Sequence, residues 1–323
     1  YVLGIYALDS INKGKFGLIA GVRGELLYYD INRLVNVGRP QAHILVRDYR
    51  KSIKSNYSAE ISPSFNYTST GSVYLKGEYG FISPSIGQLV NVGNLYDSAG
   101  NRVNGTPEAS NVKPESYITA EIGLKDEFSF GGLQTSIYYT HTYDEIRSVF
   151  FAVPLRNWYN LGETQRFGVE LSSSQYLGEI VSLQESVNFN YSNVLKGRSN
   201  AASINSSSAT QGAITDSFKE GTQIPYTPSF KVSLSSNIRA IKANNHALDI
   251  FINHSYYASQ LDNNYFIMNK GGYVLGDIGL NYKYKNFAVS AGVRNVYDSF
   301  YVSYQRSSIG TNNAITRRYL AGE

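Results

Sequence analysis

The stretch FAVSAGVRNVYDSFY, Phe287 to Tyr301, sets Phe287, Val289, Ala291 and Val293 on one side of an extended chain and Ser290 and Arg294 on the other. A period of two is the mark of a strand with one apolar and one polar face. After Arg294 the pattern gives way to Asn295, Tyr297, Asp298 and Tyr301, an aromatic and polar tip. The same alternation recurs through the chain. Phe16, Leu18, Ala20, Val22, Leu26 and Tyr28 oppose Gly21, Arg23 and Glu25; Phe230, Val232, Leu234 and Ile238 oppose Lys231, Ser233, Ser235 and Asn237. Leu248, Ile250 and Ile252 face away from Asp249 and Asn253, and the runs Ile118 to Leu124 and Val274 to Tyr284 repeat the pattern.

Composition agrees with a strand-rich chain. Only 17% of the 323 residues are charged, below the roughly 25% usual in soluble domains, while 28 Tyr and 29 Gly supply strand and turn formers. Apolar runs are short, as in GLIAGV before Arg23 and SVFFAV before Pro154, so no run of about eighteen apolar residues exists to form a transmembrane helix. Cysteine is absent, which excludes disulfides, Cys-ligated zinc and thiol nucleophiles. A net charge of +4 is too mild to argue for nucleic acid. No signal peptide opens the chain, and Tyr1 is not a natural start, so the sequence is expected to begin inside a longer protein.

Thirteen strand segments are predicted, at about 2 to 10, 15 to 31, 55 to 68, 72 to 82, 116 to 128, 131 to 146, 165 to 176, 180 to 192, 227 to 239, 246 to 257, 273 to 284, 287 to 300 and 316 onward. Connections alternate between short turns, such as INKG, STG, SFGG and YKYKN, and long polar segments such as VNVGNLYDSAGNRVNGTPEASNVKPE. That alternation gathers all long loops at one end of the sheet, which is the plan of an outer-membrane barrel with apolar residues outside and polar residues inside. Lipid offers no hydrogen-bond partner, so a spanning sheet must pair every strand. Four or five outward positions spaced by two cover about 23 to 30 Å, matching a tilted crossing of a hydrocarbon band about 25 Å tall. Tyr67, Tyr191, Tyr256, Tyr282 and Tyr284 fall near segment ends, at headgroup level. A soluble β-sandwich or lectin also shows period two, but does not require the alternation of loop length. Glu185 is the discordant residue: its parity with Val181, Leu183, Val187 and Phe189 puts it on the lipid face, where a local bulge or a neutral carboxyl is needed.

Several phrases resemble those of TonB-dependent outer-membrane receptors, importers of ferric siderophores, haem and related metal chelates. GIYALDSI near the start, VKPESYITAEIGLK with Glu121, Gly123 and Leu124, NLGETQRFGVELS with Gly168, Val169 and Glu170, and the closing VRNVYDSFY and RRYLAGE carry the resemblance along the whole chain. The last strand departs from the family pattern, with Ile315-Thr316 in place of Pro-Gly and an end at Glu323 rather than an aromatic. The resemblance implies an all-β, antiparallel up-and-down transmembrane β-barrel. About thirteen strands of a presumed twenty-two are present, residues 1–323 form a single incomplete domain, and the plug domain is absent from this fragment. It also implies energy delivered by a TonB-ExbB-ExbD complex through the missing plug, a metal-chelate ligand, contacts with outer-membrane lipid and lipopolysaccharide, and location in the outer membrane of a Gram-negative bacterium. Iron chelates, ferric siderophores first among them, are the default cargo that the resemblance implies.

No catalytic constellation appears. His43, His141, His246 and His254 lack metal-pair spacing, YDSAGN lacks the glycine of a nucleophile elbow, and no Walker-type loop is present. Neither an enzyme nor a cofactor is expected. Recognition falls to the long loops. RDYRKSIK places Arg47, Arg50, Lys51 and Lys54 at the base of the first one, to attract an anionic chelate, to pair with lipopolysaccharide phosphates, or merely to hydrate a surface. PLRNWYNLG gathers Arg156, Trp158 and Tyr159 as a cation and aromatic cup for a planar or catecholate ligand, with an interfacial anchor as the rival role for Trp158. Arg23, Glu121, Lys125, Glu170 and Arg294 are expected to line the lumen. Energised chelate uptake is the function these features favour; the alternative from another class is a passive porin or solute channel.

Overall fold

The computed structural model describes residues 1–36, 45–89, 112–150, 156–160, 162–197, 220–263, 268–309 and 315–321. Strands occupy β1 (Val2–Lys13), β2 (Phe16–Asn36), β3 (Leu45–Asn66), β4 (Ser72–Ile82), β5 (Glu115–Phe128), β6 (Gly131–Tyr143), β7 (Ile146–Phe150), β8 (Arg156–Asn160) and β9 (Gly162–Leu177). They continue as β10 (Val181–Gly197), β11 (Phe230–Ala243), β12 (His246–Tyr257), β13 (Gln260–Asn263), β14 (Met268–Lys270), β15 (Tyr273–Tyr284), β16 (Phe287–Val293), β17 (Val302–Ile309) and β18 (Ile315–Ala321). One short helix, α1 (Ile86–Leu89), follows β4. Twelve strands form one antiparallel sheet in the order β1-β2-β3-β4-β5-β6-β9-β10-β11-β12-β15-β16. Each strand lies beside its sequence neighbour in that sheet, and β7-β8, β13-β14 and β17-β18 stand apart as two-stranded ribbons. The ribbons lie among the long connections, so the sheet is the up-and-down wall that the loop alternation predicts.

One end of the sheet is closed by turns of a few residues. Gly14, Gly178, Asn244 and Lys285 take φ of 61°, 62°, 48° and 51° there, the left-handed conformation that tight hairpins require. The 67–71 turn is held differently: Tyr67 Oη donates to Asp126 Oδ2 at 2.7 Å and Thr70 Oγ1 to Asp126 Oδ1 at 3.1 Å, tying the turn to β5.

Register confirms the two faces. Ala20 pairs with Ile61, Ile122 with Ile137, Phe167 with Tyr139, Val187 with Val232, and Leu280 with Ala291. All of these belong to the outer face, where Val22, Ile61, Leu75, Ile122, Phe189 and Val289 are exposed. A sheet whose apolar side is the solvent-facing one has no place in water and suits a hydrocarbon surround. The inner face carries Arg23 opposite Tyr6, Glu60 opposite Glu78, Lys76 opposite Glu121 and Asn188 opposite Lys231.

Four strand expectations change. β3 begins at Leu45 rather than at about 55, so RDYRKSIK lies within the strand and not at the base of a loop. The segment predicted over 131 to 146 ends at Tyr143, because Asp144 takes φ 53° and turns the chain out of the sheet into β7. The segment predicted over 287 to 300 ends at Val293, since Asn295 and Asp298 take φ of 50° and 49° and fold the tip into a turn. Asn295 closes that turn on both sides, donating from Nδ2 to Ser299 O at 3.1 Å and accepting the Ser299 N–H at 3.0 Å. The last predicted strand exists as β18 but pairs with β17 rather than with the main sheet, so twelve of the thirteen segments stand in the wall. Glu185 keeps the outer parity without a bulge: it pairs with Ser173 and Leu234 in continuous register. Hydroxyl and amide partners satisfy it instead, Ser173 Oγ and Gln175 Nε2 both donating to Glu185 Oε2.

Candidate functional site

Apolar side chains gather at the long-loop end, inside the sheet. Leu27, Tyr29 and Ile31 alternate along the inner face of upper β2, and Leu89 of α1, Val112 and Ile146 of β7 pack on them. Trp158 of β8 lies half-buried against the same knot. The chain after β4 therefore folds inward across the mouth. Tyr29 Oη donates to Pro84 O at 2.7 Å, Asn56 Nδ2 to Ser83 Oγ at 2.9 Å, and Ser83 Oγ reaches Glu25 Oε1 at 3.4 Å. Glu25 is also bound by Arg23 Nη2, so a carboxylate buried under the loop keeps a cation and a hydroxyl.

Side chains from two loop bases staple the β7-β8 ribbon in place. Asn160 Oδ1 accepts the Lys113 N–H at 2.8 Å, and its Nδ2 donates to Lys113 O at 2.9 Å and Asp144 O at 2.6 Å. Glu115 Oε1 accepts the Ile146 N–H at 2.7 Å. Gly162 makes the neighbouring strand approach possible: with φ 154°, a Cβ there would sit 1.7 Å from Lys196 O. The Pro-Glu-Ser and Asn-x-Gly phrases of the sequence thus meet each other in space.

Charge is concentrated beside those staples. Glu145 is buried and bound by Arg147, by Thr164 Oγ1 and by Arg166 Nη2, while Arg166 Nη1 also donates to Thr142 Oγ1 at 3.1 Å. Glu115 stands beyond the outer apolar band Ile118–Leu124, and burial pushes its carboxyl up to about 7. The Ile146 N–H opposes that shift, Glu145 adds to it, and Arg147 and Arg166 oppose it. On the outer side of the same end, Lys196 holds the Glu163 carboxyl below its ordinary value, helped by His141, whose Nε2 lies 3.0 Å from Glu163 Oε2.

Below the mouth the inner wall has two characters. Across β3, β4 and β5 it presents Glu60, Glu78 and Glu121, with Lys76 Nζ 2.7 Å from Glu78 Oε2, Tyr117 Oη donating to Glu78 Oε1 at 2.9 Å and Tyr74 Oη donating to Glu121. Tyrosine rings there lie flat on glycines: a Cβ on Gly123 would fall 2.3 Å from the Tyr74 ring, and one on Gly80 2.3 Å from that of Tyr117. Further round, register sets Gln134, Ser172, Ser186 and Ser233 in one row, continued by Ser255, and Ser174, Gln184 and Ser235 in the next. A groove of about 380 Å³ there is lined by Gln134, Glu170, Ser172, Ser186, Asn188 and Lys231, and a second of about 760 Å³, whose lining includes Lys125, Asp126, Glu127 and Glu185, adjoins it toward the short turns.

The seven expected recognition residues divide by place. Lys51 stands in β3 opposite Asp30, exposed, its Nζ 5.5 Å from the Tyr49 ring centroid, while Lys54, three residues on, faces the other way opposite Leu27 of the knot. Arg47 and Arg50 stand in β3 opposite Leu34 and Ile31, their side chains lying outside the described residues. Arg156 and Tyr159 stand in β8 opposite Phe150 and Arg147, again with undescribed side chains, and Trp158 stands opposite Ser148. Trp158 points into the knot, so its environment is an inward-folded loop core rather than the outer belt. Arg23, Glu121, Lys125 and Glu170 take inner positions, as their parity predicts. Sequence reasoning missed Glu115 and Asn160 as staples, although both lie inside phrases it had singled out. Among the described residues, no group of three or more His, Asp or Glu is placed to hold a metal ion.

The family model described as TonB dependent receptor-like, beta-barrel matches residues 1–296. No curated protein matches the chain. Among solved structures, the chain is similar to the ferric yersiniabactin uptake receptor FyuA from Yersinia pestis, with a TM-score of 0.74 and 18% identity over 99% of this chain and 43% of that one. It is similar to the siderophore receptor PiuA from Acinetobacter baumannii, at 0.71 and 18%, over 94% of this chain and 40% of that one. The copper transporter OprC gives 0.67 and 13%, over 93% and 43%. At such identities the likeness is one of fold, and the chain spans about two fifths of the length of these proteins.

Proposed function

The chain belongs to the TonB-dependent receptor β-barrel family, and from that premise we infer that it forms the C-terminal part of an energised outer-membrane importer. In this reading the short turns face the periplasm and the long loops face outward. Residues 1–323 form one incomplete barrel domain, and a plug encoded upstream receives force from a TonB-ExbB-ExbD complex. The cargo is a metal chelate, with a ferric siderophore as the leading class; two of the similar structures carry ferric or siderophore cargo in their names and a third carries copper. The protein binds and releases its cargo without covalent chemistry.

The observation that carries the reading is the mouth. The described flanks of its connections, α1 and the β7-β8 ribbon, pack Leu89, Ile146 and Trp158 on an apolar knot, and Glu145, Arg147 and Arg166 come together beside it. A passive pore needs an open water path, whereas a receptor needs a shaped, partly apolar cup with a few convergent charges. Arg156 and Tyr159 flank Trp158 in the same ribbon and complete the proposed cup. Arg47 and Lys51, which share one parity of β3, serve a different partner in this reading: Lys51 is exposed on the outer side of a hairpin that rises beyond the lipid band, the position for a lipopolysaccharide phosphate, whereas Arg50 has the opposite parity, across from Ile31 of the knot.

Binding of a panel of ferric siderophores to the full-length receptor, with uptake measured in cells with and without TonB, tests the proposal. A chelate that binds and enters only when TonB is present supports it; TonB-independent entry points to a porin. Replacing Arg156, Trp158 and Tyr159 together by Ala is expected to weaken binding by about tenfold or more, the loss of one or two aromatic or cationic contacts. Trp158→Phe with Arg156→Ala and Tyr159→Ala keeps the knot filled, and unchanged affinity in that variant eliminates the cup.

A further inference from the structure

We propose that the lipid-facing side of β9, β10 and β11 holds a phospholipid by its primary ammonium headgroup, with Glu185 as the counter-ion. Only the orientation of the barrel carries over from the functional reading, short turns on the periplasmic side; cargo and energy source do not enter. The outer face of these strands is apolar except in one place. Val181 and Leu183 precede Glu185 on β10, and Val187 and Phe189 follow it; the register sets Leu177 and Ile238 beside Val181, and Leu171 and Val232 beside Val187. Within that frame four polar side chains come together on three strands, Ser173 opposite Glu185, with Gln175 and Ser236 on either side of Leu183. An ionisable group at membrane depth marks a functional site by default, and its partner is then the question.

This chain does not supply a cation. Ser173 Oγ donates to Glu185 Oε2, and Gln175 Nε2 donates to the same oxygen at 3.3 Å. Both donors are neutral, so they solvate the carboxylate without balancing its charge. The outward positions from Leu177 to Phe167, from Val181 to Tyr191 and from Ile238 to Phe230 include no Lys or Arg. At the short turns of these strands Lys242 is paired with Glu179, and Arg239 Nε lies 2.7 Å from Asp249 Oδ1. A second copy of the chain, meeting this one about a two-fold axis, brings another carboxylate to the same patch, which is the wrong sign.

Position selects the cation. Glu185 lies five residues beyond Ile180 of the turn, a climb of about 13 Å at about 3.3 Å per residue and a tilt of about 40°. With the turn at headgroup level, the carboxylate stands on the turn side of a hydrocarbon band about 25 Å tall. Gln175 is one outward position nearer the turn than Ser173, and its bond to Oε2 draws the carboxylate toward that end. Glu185 thus leans to the nearer headgroup layer, as long charged side chains do when they snorkel. A primary ammonium brings one positive charge and three N–H donors, and the Ser236 hydroxyl is placed to donate to the phosphate of the same headgroup. A trimethylammonium headgroup has the charge but no N–H to give. The two therefore bind differently.

The test uses full-length receptor, purified and reconstituted in vesicles of phosphatidylethanolamine and phosphatidylcholine, in equal amounts and with identical acyl chains. Lipids retained through detergent extraction are counted by native mass spectrometry. The ethanolamine lipid is expected to be retained about tenfold over the choline lipid, the scale of one charge-assisted hydrogen bond. Glu185→Gln is expected to bring that ratio close to one, Glu185→Asp to keep most of it, and Glu179→Gln, at the exposed turn, to leave it unchanged. A wild-type ratio near one overturns the proposal, either because the carboxyl is neutral or because the ammonium does not reach it. A preference that survives Glu185→Gln also overturns it, by placing the selectivity elsewhere on the barrel. If the vesicle ratio is near one and Glu185→Gln releases a second membrane protein that otherwise copurifies, the patch belongs to a protein partner and the lipid is ruled out. TonB-dependent uptake is measured separately, so the importer reading stands or falls on its own.

Discussion

The two ends of this sheet solve the same problem, how to hold neighbouring strands together, by opposite means. At the short-turn end, single residues such as Gly14, Gly178, Asn244 and Lys285 adopt left-handed backbone conformations and close hairpins locally. At the mouth, contacts 31 to 55 residues apart along the chain do the holding: Glu115 to Ile146, Lys113 to Asn160, Tyr29 to Pro84. Local closure resists change at one residue at a time, and the loss stays local. The mouth depends on few side chains, each serving several segments, so one replacement loosens a whole loop system. That is the arrangement expected where ligands arrive and loops must move.

Substitutions at the mouth are therefore expected to cost more than their counterparts at the turns. Gly162→Val has the largest expected effect, about 3 kcal/mol, because the new Cβ overlaps a backbone oxygen that no rotamer can move. Reduced thermal stability of the purified full-length receptor, with loss of the β9-β10 amide protection near Gly162, is the readout. Asn160→Ala removes three hydrogen bonds and is expected to cost about 2 kcal/mol. Hydrogen exchange should rise at Asp144 to Ile146 and at Lys113 together; a rise at only one of these segments dissolves the staple.

Glu115 gives the comparison a pH axis. Its carboxyl titrates near 7 in the folded mouth against an ordinary value of 4.5, so the folded form holds the proton more tightly. The associated stability is therefore present at low pH and is lost as pH rises through about 7. Opening of the Ile146 amide, corrected for intrinsic exchange, is expected to increase by about fifty- to a hundredfold between pH 5 and 8, roughly two pK units of linkage. Glu115→Gln should flatten that profile, and amides at the turns of the other end should show no such slope. Gly14→Ala is the smallest effect: nothing lies within 4 Å of the added Cβ, so the cost is only the left-handed conformation, about 1 kcal/mol. A Gly14→Ala cost equal to that of Gly162→Val erases the contrast.

How much of this was legible in the sequence follows the same division. Parity is local, so Phe287, Val289, Ala291 and Val293 on one face and Ser290 on the other could be read directly, and the register agrees. Turn lengths could be read because a hairpin of two or three residues leaves room for little else than Gly, Asn or a strained Lys. Strand ends were misread where a non-glycine residue takes a positive φ, at Asp144 and at Asn295, since neither residue type demands that conformation. The mouth was the least legible. Trp158 was visible as a candidate, but its place on Leu27, Tyr29 and Ile31 depends on loops folding across the lumen, which no short window encodes. The phrases around Glu115 and Asn160 were noticed for their wording, and their meeting required coordinates.

The hairpin of β2 and β3 runs in unbroken register from Phe16 opposite Phe65 to Asn36 opposite Leu45. During assembly such a run works as an error detector. A slip of one residue turns Arg23 and Glu25 out toward lipid and Val22 and Leu26 in toward water, and each misplaced charge near the midplane carries a penalty of about 2 to 4 kcal/mol for a basic residue and somewhat less for an acidic one. The penalty accumulates along the hairpin, so a misaligned pair is rejected while it is still short, and the strands that join later inherit a frame already checked.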